Sequence, residues 1–141
     1  MIRVLKTPGI SLVAAVSMIT MVACSPSSSS LEGAEWKLNS WTLSSLSPNE
    51  FGITAKFQDG RISGNSGVNN YSGPYTLGTG GAFSVGPLVS TEMAGSEPAM
   101  RAEGAYLQLL GQANSYKAGN GKLTLNDRGG NESLVFQASS P

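Results

Sequence analysis

The sequence predicts a mainly β domain, β-rich α+β in class, with one α-helix at about residues 97–110. Three observations carry that expectation. Short apolar stretches recur between glycines and asparagines at the spacing of all-β barrels or sandwiches. Two of these stretches flank Asp59-Gly60, a strong hairpin signal because a type I′ turn needs φ > 0 at both central positions. One segment, Glu97 to Gly111, abandons alternation for helical spacing. At 141 residues the chain has the length of about one domain.

The N-terminus reads as an address. Arg3 and Lys6 supply a positive start, and Ile10 to Ala23 is an uncharged apolar run. That run is too short for a bilayer span of about 20 residues and suits the core of a signal peptide over residues 1–23. It ends Met21-Val22-Ala23-Cys24-Ser25, with the only cysteine directly behind small residues. This resembles a bacterial lipoprotein box, in which Cys24 is acylated with a diacylglyceryl group and becomes the first residue after cleavage. Each buried CH₂ contributes about 0.8 kcal/mol, and two or more acyl chains hold stably where one holds marginally. By resemblance Ser25 points to the outer membrane if the source is Gram-negative. Removing residues 1–23 leaves seven basic against nine acidic side chains, net −2. Residues 24–30 form a serine-rich tether, and a folded domain is expected over 31–137.

The strands follow in order. Trp36 through Trp41 and Leu43 is a first strand, with Trp36 and Leu38 on one face. Phe51, Ile53, Ala55 and Phe57 alternate with period two, the mark of a half-buried strand. Arg61 to Gly64 returns across the Asp59-Gly60 turn. Tyr71 to Leu77 and Ala82 to Val85 form another hairpin across Gly78-Thr79-Gly80-Gly81. Three last strands begin at Ser115, Lys122 and Ser133, joined by Gly119-Asn120-Gly121 and Asp127-Arg128-Gly129-Gly130-Asn131. In the helix, Ser96 suits an N-cap, Glu97 the positive end of the dipole, and Pro98 the first turn. Met100, Leu107 and Gly111 lie near one face with Glu103 beside them, and Gly111 suits the C-cap.

Four marks, in this order and spacing, resemble the META domain family of HslJ-like lipoproteins. They are Leu31-Glu32-Gly33-Ala34-Glu35-Trp36-Lys37-Leu38, Phe57-Gln58-Asp59-Gly60-Arg61-Ile62-Ser63-Gly64, Gly67-Val68-Asn69-Asn70-Tyr71-Ser72-Gly73-Pro74-Tyr75, and Thr91-Glu92-Met93-Ala94-Gly95. Glu103, Tyr106 and Leu107 follow in the helix, then Leu123-Thr124-Leu125 and Leu134-Val135-Phe136. The resemblance implies a small cracked or incomplete antiparallel β-barrel with one helix, similar in architecture to the pilotins that assist secretins and accommodate acyl chains. Many members carry cysteines, thought to pair, where this chain has Val68 and Gly95. Both are absent together, as expected of a bonded pair. Val68 is expected to pack into the space at Gly95.

Composition excludes several chemistries. There is no histidine, hence no Ser-His-Asp triad, no Cys-His pair and no His-ligated metal. One cysteine allows no intrachain disulfide, and a net charge of zero gives no footprint for nucleic acid. No cofactor and no metal are implied. Gly64-Asn65-Ser66-Gly67 reads as a turn rather than a nucleophile site, since a reactive serine needs a base. Of the acids, Glu92 and Glu103 lack an obvious local role and are the pair a hydrolase would use. Asn69, Asn70, Tyr71 and Tyr75, with Trp36 and Trp41, form the candidate binding surface, because tyrosine and asparagine suit peptide or glycan contacts. Core and turn roles compete for the same residues.

The leading functional expectation is a non-enzymatic, lipid-anchored envelope protein. It would be a monomer on the membrane, serving as adaptor or binding module for another envelope component. The resemblance adds envelope stress and tolerance to hydrophobic antibiotics. The alternative is a binder of a hydrophobic small molecule or acyl chain. A two-carboxylate hydrolase comes third.

Overall fold

The computed structural model describes residues 31–139. The expected signal peptide, Cys24 and the tether lie outside the described residues. Nine strands and one helix make up the domain: β1 (Glu35–Trp41), β2 (Thr54–Gln58), β3 (Arg61–Asn65), β4 (Asn70–Leu77), β5 (Phe83–Val85), β6 (Val89–Ser90), α1 (Glu97–Gln112), β7 (Ser115–Gly119), β8 (Lys122–Asn126) and β9 (Glu132–Ala138). All pairings between strands are antiparallel, in the order β5-β4-β3-β2-β1-β9-β8-β7, with β6 beside the upper half of β4.

The sheet curls until β5 meets β7. A single bridge, Ala82 with Ser115, joins them, and the Phe83 amide donates to the Asn114 carbonyl at 3.0 Å. The result is a nearly closed eight-strand barrel with one helix, as the resemblance implied. The Asp59-Gly60 turn has the expected left-handed pair (φ 51° and 74°), and Asn120-Gly121 repeats it (φ 51° and 71°).

Alternation puts one face of each strand inside. Trp36 and Leu38 from β1, Ala55 and Phe57 from β2, and Ile62 from β3 are buried, as are Leu123 and Leu125 from β8 and Leu134 and Phe136 from β9. The interior is therefore filled by side chains. Phe57 meets Tyr75 edge-on at 5.0 Å between centroids, and Tyr106 from α1 reaches Phe136 at 6.3 Å.

Three expectations need correction. The first strand ends at Trp41, whose indole donates to the Leu46 carbonyl at 2.8 Å, and Leu43 lies in the following loop. The helix buries Ala102, Glu103, Tyr106, Leu109 and Leu110, while Met100 is 41% exposed. Residues 102, 106 and 110 follow the i, i+4 ridge that packs on the sheet. The Ser96 hydroxyl caps the start, accepting from the Ala99 amide, but the helix runs past Gly111 to Gln112, with Ala113 rather than Gly111 as its C-cap.

Strand direction sorts the connections into two ends. The chain enters β1 at one end, where Leu31 is buried and its carbonyl accepts from the Trp36 indole at 3.1 Å. The turns 59–60, 78–82 and 120–121 lie at this entry end. The connections 42–53, 66–69, 91–96 and 127–131 lie at the far end with the start of α1.

At Gly64 an added Cβ would run into the Thr54 carbonyl on the neighbouring strand. Gly64→Ala is expected to cost about 1–3 kcal/mol, the usual range for overpacking. Urea unfolding followed by tryptophan fluorescence would measure it.

Candidate functional site

The far end is organised around one buried carboxylate. Glu103 points from α1 at the 66–69 loop between β3 and β4. Its Oε2 accepts from the Ser66 hydroxyl at 2.6 Å, the Asn69 amide at 2.8 Å and the Val68 amide at 3.2 Å. Its Oε1 accepts from the Asn69 side-chain nitrogen at 2.8 Å. Gly67, at φ 121°, lets the loop come close to the helix: a Cβ there would stand 3.5 Å from the Ala99 carbonyl. Burial pushes the Glu103 carboxyl up, but the hydrogen bonds from Ser66, Asn69 and Val68 outweigh it and hold the group below its usual range.

Asn69 passes the constraint on. Its Oδ1 accepts from the Met93 amide at 2.7 Å and the Thr91 hydroxyl at 2.9 Å, and its Nδ2 also donates to the Met93 carbonyl at 3.2 Å. Through Asn69, Glu103 thus fixes two separate far-end segments, the 66–69 loop and the 91–96 strap. Val68 stands over Gly95 as expected. Its Cγ2 lies 2.7 Å from where a Cβ on residue 95 would be.

A second polar link joins helix to sheet. The Tyr71 hydroxyl donates to the Thr54 carbonyl at 3.0 Å, so the 2.6 Å contact between the Tyr71 and Tyr106 hydroxyls has Tyr106 as donor. Burial pushes both phenols well above their ordinary value, and they stay neutral.

The four candidate surface residues therefore do not share a surface. Asn69 and Tyr71 are buried and serve the fold. Asn70 is exposed on the β4 edge, its amide donating to the Thr91 hydroxyl at 3.2 Å. Tyr75 sits five residues further along β4, its hydroxyl donating to Glu32 at 3.0 Å. Burial, then Glu32, raises that phenol to about 12. Trp36 is buried and Trp41 half-buried.

The carboxylate pair separates as well. Glu92 and Glu103 line one surface cleft, but Glu92 is exposed and Glu103 is saturated by protein donors. A general acid needs a pKa near the working pH, and Glu103 is held in the opposite direction. Ser66, unassigned from sequence beyond its turn, is the hydroxyl that donates to Glu103. A sequence signal for the link exists: an acid beside the Ala102-Tyr106-Leu110 ridge needs buried donors. Another cleft, of about 550 Å³, lies where β5 meets the end of α1 and includes Phe83, Gln112 and Arg128 in its lining.

The META domain family model matches residues 29–140. No curated protein matches the chain. Among solved structures, the chain is similar to a protein from Burkholderia xenovorans determined by NMR, at 25% identity and a TM-score of 0.64, over 98% of this chain and 100% of that one. It is similar in fold to a DUF4847 family protein from Bacteroides vulgatus determined by crystallography, at 12% identity and a TM-score of 0.58, over 79% of this chain and 96% of that one.

Proposed function

The chain belongs to the META domain family, and from that premise we propose a non-enzymatic, lipid-anchored envelope protein whose barrel acts as an adaptor or binding module in envelope maintenance or stress tolerance. The observation that carries the reading is the condition of Glu103. Among the described residues it is the only buried carboxylate, no lysine or arginine is buried, and all its hydrogen bonds go to the fold. A domain whose one buried carboxylate is engaged in holding loops, and whose buried phenols Tyr71 and Tyr106 stay neutral, offers surfaces rather than proton transfer. The filled interior favours the adaptor over the acyl-chain binder, since Phe57, Ile62, Leu123 and Phe136 are completely buried where a chain would lie. The anchor is supported by the sequence Met21-Val22-Ala23-Cys24-Ser25 behind an uncharged apolar run.

Labelled palmitate tests the anchor. Incorporation is expected in the unaltered protein and loss of label in Cys24→Ser, with release from the membrane fraction. A Cys24→Ser protein that stays membrane-bound to the same extent overturns the reading.

A further inference from the structure

The large apolar side chains left exposed are not spread over the barrel. Leu43 is 49% exposed, Val89 64%, Met93 56% and Met100 41%. Leu43 follows β1, Val89 is in β6 beside the upper half of β4, Met93 is in the 91–96 strap, and Met100 is near the start of α1. All four belong to the far end. The entry end carries tight turns and the incoming chain.

The geometry points to the far end as a docking face for another protein, one that presents apolar side chains flanked by lysine or arginine. This deepens the adaptor reading and rests on it. Two features place the occupant. The first is the tether. Seven residues, Cys24–Ser30, span at most about 25 Å fully extended. They join the barrel at the entry end, and β1 alone, seven residues long, covers about 24 Å of path toward the far end. Tilted by about 35–45°, that path rises about 17–20 Å along the barrel, so a bilayer seated on the far end would take up most of the tether, and that face looks away from the lipid. The second is charge. Glu50 and Glu92 sit in the far-end loops with no ion pair among the described residues, and Glu97 at the helix start meets Arg101 only at 3.8 Å with both exposed. The 127–131 turn adds Asp127 and the exposed Arg128, so the far end carries the four carboxylates of Glu50, Glu92, Glu97 and Asp127 against the two guanidiniums of Arg101 and Arg128, and that acidic excess around apolar side chains suits a basic-flanked apolar partner. Methionine is the adaptable side chain for such a contact.

Glu103 then gains a purpose beyond stability. Through Asn69 it clamps the Met93 backbone on both its N–H and its C=O, so the Met93 side chain is presented outward from a fixed main chain.

The test uses the full acylated chain in its membrane. Single cysteines are placed at Met93→Cys or Met100→Cys at the far end, and at Asn120→Cys at the entry end. Maleimide labelling rates are compared between intact envelopes, the purified protein, and the purified protein in pure phospholipid vesicles. Far-end thiols are expected to label about tenfold more slowly in envelopes only, the protection given by a partner at about ten times its Kd. Asn120→Cys should label alike throughout. Adding Glu92→Lys should reduce the far-end protection. Equal labelling everywhere, or protection at residue 120 alone, overturns the proposal. Protection that persists in vesicles assigns the face to lipid, and protection in the purified protein alone assigns it to a second copy; either overturns it too. Palmitate incorporation, read on the same samples, separates loss of the anchor from loss of the docking face.

Discussion

Glu103→Ala is expected to destabilise the domain by about 3–5 kcal/mol. The substitution strands the Val68 and Asn69 amides, each worth about 1–3 kcal/mol with part regained from water, and removes the stronger charged partner of the Ser66 hydroxyl and the Asn69 side-chain nitrogen, which keep the Asn69 carbonyl at 2.8 Å and the Met93 carbonyl at 3.2 Å. For a domain of this size that corresponds to a fall in Tm on the order of 15–25 °C. Urea unfolding read by Trp36 and Trp41 fluorescence measures it, and a loss under about 1 kcal/mol would mean water replaces the carboxylate. Glu103→Gln keeps the size and separates charge from shape. The folded carboxyl lies below 4.5, so its stabilisation is complete above that pH and is lost as pH falls through the folded value. Unaltered protein should therefore weaken more steeply in acid than Glu103→Gln.

Joining Val68 and Gly95 is expected to raise stability by about 2–4 kcal/mol. A Cβ built on residue 95 lies 3.5 Å from the Val68 Cβ, at the short edge of the window for a disulfide. The bond would close a loop of about 27 residues and tie the 66–69 loop to the strap that Asn69 already holds. Gly95→Cys alone should be destabilising, because Val68 Cγ1 and Cγ2 crowd the new Cβ at 3.0 and 2.7 Å. Val68→Cys removes that branch, so the double variant should be far from additive. Thermal melts with and without reductant, and a thiol count, decide it. Two free thiols in the oxidised double variant would show that the strap does not approach the loop as described.

The hairpins were legible because their turns demand particular residues: Asp59-Gly60 and Asn120-Gly121 occupy the left-handed conformations such residues tolerate. The two-residue β6 was not, since Val89-Ser90 has too few residues to show alternation. The helix was legible but its face was not. Apolar residues from Met100 to Leu110 wrap most of its circumference, and only packing decides that Ala102, Tyr106 and Leu110 turn inward. The candidate surface failed for a related reason. Asparagine and tyrosine serve equally as contacts and as buried partners, and Asn69 and Tyr71 found donors and acceptors thirty or more residues away, in α1. Glu103 stood out as an acid without a local role, which is the trace a long-range bond leaves in one dimension.

The pairing of β1 with β9 has a consequence for biogenesis. The strand made first lies between β2 and the strand made last, with Leu38 opposite Phe136 and Trp41 opposite Leu134. Until β9 has left the ribosome or cleared a translocation pore, one edge of β1 has no neighbour and the ring cannot shut. A nascent domain of this design stays open and threadable until β9 emerges, and only then commits to its final shape.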